Sequence, residues 1–290
     1  MGFGSEYNMS RIAGLIPRNN KGTPRLDAII ITRLLGTKQI VRDGFFFTEN
    51  QQASAKFGSI QIVIDSSIFY AGDFPSPHKK LPDAQRVLLS ISKIGIVRTL
   101  EKINGRFCLA VFDTKTNILC LGRDRFGLST LFYTCFDGLI AFSSRAKGLL
   151  ALPGVSNELD NSFLKAAAAT NYRFLDTNNS LSPFRNIKQV PPGTIVRFDD
   201  KKMQTEQFAS LTIDEIRRSN KPTREEYIHL FNKAVSKRLR VAKKPIFSLS
   251  GGLDSSSVVS MAQQITKKNK PLYLRFIQTN YMMNRKKYLM

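Results

Sequence analysis

One stretch near residue 250 constrains the fold more than any other part of the sequence. The apolar run Ile246–Leu249 follows Pro245, stops at Gly251-Gly252, and resumes at Val258 with helical spacing. This order predicts a buried strand, a tight loop and a helix, because glycine allows positive φ and close approach of the backbone. The first N–H groups of a helix have no partner within it, so such a loop suits an anion. The stretch therefore predicts a phosphate-sized turn in an α/β domain.

The residues of this turn leave two interpretations open. A glycine-rich turn between a strand and a helix needs no ligand, and the Walker pattern GxxxxGK[ST] is absent. The alternative is a nucleotide loop, which is favoured by the hydroxyls of Ser250, Ser255 and Ser256 beside the carboxylate of Asp254. Ser255 and Ser256 are also candidates for the N-cap of the helix.

The chain around this turn predicts a βαβ unit. Thr223 and Glu226 have the spacing of a capping box, which starts a helix before the first strand. A second apolar run at 272–277 follows the helix after the turn and predicts a parallel strand. In the first half, Asp137-Gly138 separates two apolar runs, which is the pattern of a β-hairpin. Several such hairpins predict antiparallel sheets packed face to face.

Composition bounds the class of protein. The chain has 290 residues, of which 42% are hydrophobic, so about two folded domains are expected. Residues 213–290 hold 17 Lys or Arg against 5 Asp or Glu, and the first 212 residues hold 27 against 17. A basic surface can bind nucleic acid, but no RNP, helix-turn-helix or zinc-finger pattern is present. Nucleic acid is therefore a disfavoured partner.

The remaining composition argues against a membrane or metal-cluster protein. No apolar run approaches the length of a bilayer span, and residues 1–10 lack the pattern of a signal peptide, so we predict a cytoplasmic protein without a membrane partner. Cys108 and Cys120 lie in strand-like apolar runs and are expected to be small buried side chains. His78 and His229 are each isolated and predict no metal site.

A family resemblance rests on five motifs in order. They are Asn-Gly-Arg-Phe at 104–107, Gly-Arg-Asp-Arg-Phe-Gly at 122–127, Ser-Ser-Arg-Ala-Lys-Gly-Leu at 143–149, Val-Pro-Pro-Gly at 190–193 and Ser-Gly-Gly-Leu-Asp-Ser-Ser at 250–256. This order resembles the asparagine synthetase family over about residues 9–280. The resemblance implies a class II glutamine amidotransferase-like domain at 9–212, with the Ntn-hydrolase-like αββα four-layer sandwich. It also implies that 213–290 begin an α/β parallel-sheet ATP-pyrophosphatase domain of the adenine nucleotide α-hydrolase-like type.

The resemblance also assigns roles to residues. Arg123, Asp124 and Gly127 are expected to be structural, as a charged turn with a permissive glycine. Asp254 is expected to hold Mg²⁺, and Ile277 to pack on the adenine of ATP. The full set expected at the nucleotide is Leu249, Ser250, Gly251, Gly252, Asp254, Ser255, Ser256 and Ile277.

Three departures from the family concern glutamine hydrolysis. Ser10 stands where relatives that use glutamine have an N-terminal cysteine, and nine residues precede it unless translation starts at Met9. A serine hydroxyl is a weaker nucleophile than a thiol at neutral pH, and Ser10 has no free amine beside it. Asp65-Ser66 replaces the Asn-Gly of the glutamine pocket, whereas Pro82-Asp83 resembles its Ser-Asp pair. We also find no arginine that matches the one expected to grip the substrate carboxylate. The sequence therefore predicts a domain that keeps the fold and lacks glutaminase activity.

The function implied is an ATP-dependent, amide-bond-forming ligase that adenylates a carboxylate and then accepts an amine. Ser10 suits relatives that use an amine already on the substrate, such as lasso-peptide macrolactam cyclases and β-lactam synthetases. The carboxylate belongs to a small molecule or a peptide. The second acidic loop and the lysine of the family are not found after Ile277, which predicts a truncated chain. The alternatives are a non-catalytic truncated fragment, or half of a split macrolactam synthetase of the lasso-peptide or β-lactam type. The expected protein partners are a separately encoded C-terminal half or further copies of this chain.

Overall fold

The computed structural model describes residues 11–18, 30, 35, 41–43, 45–69, 81–169, 180–199, 202–210, 221, 223–241, 245–266 and 273–276. The chain divides into two compact units, residues 1–211 and residues 212–290. Among the helices of these residues, none has both the length and the apolar character that a bilayer span requires.

The first unit consists mainly of antiparallel strands. Its strands, in chain order, are β1 (Ile12–Pro17), β2 (Val41–Asp43), β3 (Phe46–Thr48), β4 (Ser54–Phe57), β5 (Ile60–Ile68), β6 (Gly105–Asp113), β7 (Ile118–Arg123), β8 (Phe132–Phe136), β9 (Leu139–Ser143), β10 (Lys188–Gln189), β11 (Thr194–Phe198) and β12 (Met203–Gln207). Its helices are α1 (Asp83–Ile94), α2 (Ile96–Lys102), α3 (Ala146–Leu149) and α4 (Asn161–Ala169).

These strands form two sheets. The first has the order β10-β8-β9-β1-β3-β2 and the second has the order β12-β11-β7-β6-β5-β4. The predicted hairpin is present between β8 and β9, where Asp137 and Gly138 have φ of 44° and 72°. Positive φ at both central residues is typical of a type I′ turn, whose twist matches that of the strands. The longest pairing joins β5 to β6, from Ile60↔Asp113 to Ile68↔Gly105.

The main core lies between the two sheets. Alternate side chains of each strand point to the same face. Phe46 and Phe142 of the first sheet contact edge to face at 5.7 Å between ring centroids, and they share the cluster with Val63 and Phe112 of the second sheet. Gly14 lies against this pair, where a Cβ would overlap the Phe142 ring. The sheets are therefore packed face to face, as predicted.

Helical segments cover the outer faces. On the second sheet, Val87 and Leu88 of α1 pack with Ile62 and Leu109. On the outer face of the first sheet, Leu149 of α3 packs in one hydrophobic cluster with buried residues of the strands. Helix, sheet, sheet and helix form four layers, so the predicted αββα sandwich is confirmed.

The second unit contains a βαβ arrangement. Its elements are α5 (Arg224–Val241), β13 (Ile246–Leu249), α6 (Leu253–Thr266) and β14 (Tyr273–Phe276). Strands β13 and β14 are parallel, with Ile246 opposite Tyr273 and Leu249 opposite Phe276. The predicted capping box is present, because Glu226 N–H donates to Thr223 Oγ1 at 3.2 Å and Thr223 N–H donates to Glu226 Oε2 at 2.8 Å.

Candidate functional site

The predicted phosphate-sized turn lies between β13 and α6. The strand ends at Leu249, and the helix begins at Leu253. Gly251 has φ of +82°, and a Cβ on it would meet no atom within 4 Å. The backbone therefore turns sharply at Gly251, and the space beside this residue is open. A non-glycine residue here would be strained, because L side chains rarely adopt this φ.

Serine hydroxyls hold the turn in shape. Ser255 Oγ donates to the Gly252 carbonyl oxygen at 3.1 Å, and Ser256 Oγ donates to the same oxygen at 2.9 Å. Ser250 N–H donates to Ser255 Oγ at 3.3 Å, and the two hydroxyls of Ser250 and Ser255 lie 3.2 Å apart. The prediction that Ser255 and Ser256 cap the helix is wrong, since α6 begins at Leu253 and both serines lie in its first turn.

The N-terminus of α6 faces this turn. The Ser256 N–H donates to the Gly252 carbonyl at 3.2 Å, which is the first i to i−4 bond of the helix. The preceding N–H groups of an α-helix have no partner within it, and the helix dipole is positive at this end. Asp254 is the acidic residue of the first turn, and it is exposed. The turn thus combines N–H donors, hydroxyls and one carboxylate.

This donor set fits a nucleotide with Mg²⁺. Mg²⁺ in proteins often uses only one or two carboxylates, with phosphates and waters as its other ligands. Asp254 supplies one carboxylate beside the N–H donors, and Gly251 leaves open space for a phosphate. No cluster of three or more His, Cys, Asp or Glu occurs in the part of the chain that the structure describes, so an all-protein metal cage is not found there. Ile277 lies outside the described residues.

A second polar cluster lies in the first unit, at the residues that depart from the family pattern. Asp65 on β5 forms an ion pair with Arg106 on β6, with Nη1 to Oδ2 at 3.1 Å and Nη2 to Oδ1 at 3.2 Å. The side chains are 9% and 22% exposed. Arg106 Nη1 also donates to Ser129 Oγ at 3.0 Å. Both carboxylate oxygens of Asp65 therefore accept hydrogen bonds from a guanidinium group.

The neighbouring carboxylate also has an internal partner. Ser66 Oγ donates to Asp83 Oδ2 at 2.7 Å, which links β5 to the first turn of α1. Ser66 thus stands beside the acid that the Pro82-Asp83 resemblance singled out. The sequence predicted the two carboxylates but missed Arg106 as a partner. Ser10 itself lies outside the described residues.

The cysteines offer no activated thiol near this cluster. Cys108 lies opposite Asp65 in the sheet and is fully buried. Burial raises the pKa of the Cys108 thiol well above its ordinary value, and the negative charge of Asp65 adds to this effect. Burial raises the pKa of Cys120 to about 11. Both cysteines are buried, as predicted, and the raised pKa keeps each thiol protonated at neutral pH.

The charged turn at 123–127 is structural, as expected. The Arg123 guanidinium donates to the carbonyls of Ser129, Val190 and Gly127 at 2.5, 3.0 and 2.7 Å. Asp124 is completely buried, and its carboxylate accepts hydrogen bonds from several backbone N–H groups. These bonds tie the segment after β7 to the start of β11. The two residues order this loop.

Two family models match successive parts of the chain. A model described as a glutamine amidotransferase domain matches residues 77–209, and one described as asparagine synthase matches residues 226–279. The glutamine-hydrolyzing asparagine synthetase 3 of Bacillus subtilis (strain 168) is 29% identical over 168 residues, which cover 56% of this chain and 26% of that protein. The glutamine-hydrolyzing asparagine synthetase of Rattus norvegicus is 29% identical over 203 residues, which cover 67% of this chain and 34% of that protein.

The chain therefore spans about a quarter to a third of the length of these two relatives. Among solved structures, the glutamine phosphoribosylpyrophosphate amidotransferase from B. subtilis, complexed with ADP and GMP, aligns at 11% identity. Its TM-score is 0.46, and the alignment covers 94% of this chain and 67% of that chain.

Fold and site together define a class of protein: an αββα sandwich that matches a glutamine amidotransferase domain, followed by a βαβ unit with a phosphate-sized turn. Both family models match in that order, and curated asparagine synthetases align with the chain. In both units the chain is similar to proteins of the asparagine synthetase family.

Proposed function

We propose that the second unit binds ATP as part of an ATP-dependent ligase that activates a carboxylate for amide-bond formation. The observation that carries this proposal is the turn between β13 and α6, where Ser250, Ser255 and Gly252 are tied together by hydrogen bonds. A turn held in shape before the ligand arrives loses little conformational freedom on binding. The match of residues 226–279 to the asparagine synthase model supports the same assignment.

Each residue of the turn has a proposed role. The N–H groups of Gly251 and Gly252 and the N-terminus of α6 hold phosphate oxygens. The hydroxyls of Ser250, Ser255 and Ser256 orient the backbone and donate to phosphate. Asp254 holds Mg²⁺. Leu249 and Ile277 line the sides of the nucleotide site. ATP transfers its adenylyl group to the carboxylate, and pyrophosphate is released. The compartment is proposed to be cytoplasmic, and the carboxylate is that of a small molecule or a peptide.

Removing the Ser255 hydroxyl tests the nucleotide site. In Ser255→Ala, the loop loses the contacts to Gly252 and Ser250, so we expect the Kd for a fluorescent ATP analogue with Mg²⁺ to rise about tenfold, which corresponds to about 1.4 kcal/mol. Ser260→Ala, at an exposed position later in the same helix, is the matched control and should leave the Kd within about twofold. Equal losses in both variants, or no binding by the folded full chain, would contradict the assignment.

We further propose that the first unit does not hydrolyse glutamine. Two observations support this proposal. Asp65 is occupied by Arg106, and Asp83 is contacted by Ser66, so the polar groups of this region bond to each other. A substrate would have to displace charge-assisted bonds, which are about twice as strong as neutral ones.

The expected result is that the purified full chain releases no glutamate from glutamine above the uncatalysed rate. The measurement is a coupled glutamate assay from pH 6 to 9, with an unrelated glutaminase added in a parallel reaction to show that the assay responds. Isothermal titration with glutamine should likewise give no heat of binding. Glutamate release that scales with protein concentration would sink this part of the proposal.

A second candidate is a chain that binds nucleotide without turnover until another polypeptide supplies the rest of the active site. The observation that favours it is apolar exposure on the second unit: the exposed fractions are 83% for Leu253, 61% for Tyr227 and 51% for Ile246. ATP–pyrophosphate exchange distinguishes the candidates. Exchange by this chain alone, with a candidate carboxylate, supports the first candidate and excludes the second.

A further inference from the structure

The strand β12 forms an open edge of the second sheet. All five of its residues, Met203–Gln207, are exposed, and each is paired with β11 without a bulge. Proteins normally protect an edge with short strands, charged side chains (especially Lys), Pro within the strand, or a bulge. β12 has no Lys, Pro or bulge, and Glu206 is its one charged residue. The edge β10 of the first sheet, in contrast, has only two residues.

The hydrogen bonds at both ends of β12 show which backbone groups point outward. Asp199 N–H donates to the Lys202 carbonyl at 3.1 Å, and Phe208 N–H donates to the Gly193 carbonyl at 2.9 Å. Bonded and non-bonded pairs alternate along an antiparallel ladder. The N–H and C=O groups of Gln204 and Glu206 therefore point toward β11. Those of Met203, Thr205 and Gln207 point away from the sheet.

The charges near this edge are self-complementary. Lys202 and Glu206 lie on the same face of the strand, two residues on either side of Gln204, because side chains alternate with period two. Both are exposed, and neither forms an ion pair with another residue that the structure describes. When two copies of the strand are antiparallel about Gln204, Lys202 of each copy lies opposite Glu206 of the other. A two-fold axis makes both ion pairs at once.

We propose that β12 pairs antiparallel with β12 of a second copy of this chain. In the register centred on Gln204, Met203 of one copy lies opposite Thr205 of the other. Both have outward backbone groups, so they exchange N–H···O=C bonds. The two second sheets then continue as one sheet across the dimer. Opposite charges directly across antiparallel strands stabilise the pairing, and like charges destabilise it.

Sedimentation equilibrium of the full chain at several concentrations tests the pairing. The expected result is a monomer–dimer equilibrium. Thr205→Pro removes an outward N–H without removing a bond to β11, and should raise the dimer Kd at least tenfold. Lys202→Glu should weaken the dimer in a similar way through repulsion of Glu206. The exchanged pair Lys202→Glu with Glu206→Lys should restore it, and Lys115→Glu, in the exposed turn after β6, is the control for net charge.

Hydrogen exchange provides a second readout that does not depend on a variant. The Met203 and Thr205 amides should gain protection as protein concentration rises, whereas those of Gln204 and Glu206 should be protected at every concentration. A chain that is monomeric at all concentrations overturns the proposal. So does a dimer of unchanged Kd in Thr205→Pro, or a charge exchange that does not restore association.

Discussion

Replacing Asp124 by asparagine is expected to lower the free energy of unfolding of the first unit by about 3 kcal/mol. The Asp124 Oδ1 accepts N–H groups of Phe126 and Leu128 at 3.1 and 3.0 Å, and Oδ2 accepts those of Ser129 and Phe107 at 2.9 and 3.4 Å. An asparagine keeps one acceptor and turns an NH₂ group toward two of these donors. Buried donors without acceptors cost about 1–3 kcal/mol each.

Urea denaturation followed by circular dichroism measures this loss. Asp137→Asn is the matched control, because Asp137 is exposed and its φ of 44° suits asparagine equally well. The control should change the free energy of unfolding by less than about 0.5 kcal/mol. Similar losses in both variants would mean that the hydrogen bonds of Asp124 do not stabilise the sandwich.

Gly193→Ala is the second substitution with a large expected effect, a loss of about 3 kcal/mol or more in the free energy of unfolding. Gly193 follows Pro192 and has φ of +64°. A Cβ at this residue would collide with the carbonyl oxygen of Ala209, closer than real Cβ atoms approach. The Gly193 carbonyl also accepts the N–H groups of Phe208 and Ala209, so the backbone cannot shift without losing these bonds.

Gly58→Ala separates the collision from the cost of positive φ. Gly58 has φ of +59°, but a Cβ there would meet no atom within 4 Å. We expect Gly58→Ala to cost only about 1 kcal/mol, which is the conformational penalty alone. Thermal unfolding of the two variants beside the parent chain gives the comparison. If Gly58→Ala is as destabilising as Gly193→Ala, the collision with the Ala209 carbonyl does not contribute to the loss in the free energy of unfolding.

The features that sequence predicted well are those set by neighbouring residues. Asp137-Gly138 fixes a hairpin because its backbone angles alone select the turn. Thr223 and Glu226 fix a helix start because they are three residues apart and satisfy each other. The apolar run around Cys108 likewise predicted a strand with a buried cysteine, which is found in β6. In each case the determining contacts span only a few residues.

The features that sequence missed depend on distant segments. Arg106 reaches Asp65 only because β5 and β6 pair in one particular register, which places Ser67 opposite Arg106. A shift of that register would move Arg106 to a different neighbour. The helix α6 starts three or four residues earlier than an N-cap at Ser255 or Ser256 predicts, and both serines bond back to Gly252 from within the helix. Serine in a first turn and serine at an N-cap look the same in sequence.

The position of β1 has a consequence for the newly made chain. β1 lies between β3 and β9, and Ile12 N–H donates to Ser144 Oγ, 132 residues further along the chain. At about 5–20 residues per second, a ribosome needs on the order of ten seconds to make the intervening segment. During that time the strand can pair on one side only, with its buried side chains Ile12 and Ile16 uncovered. The nascent chain therefore passes through a stage in which a molecular chaperone would have an apolar strand to bind.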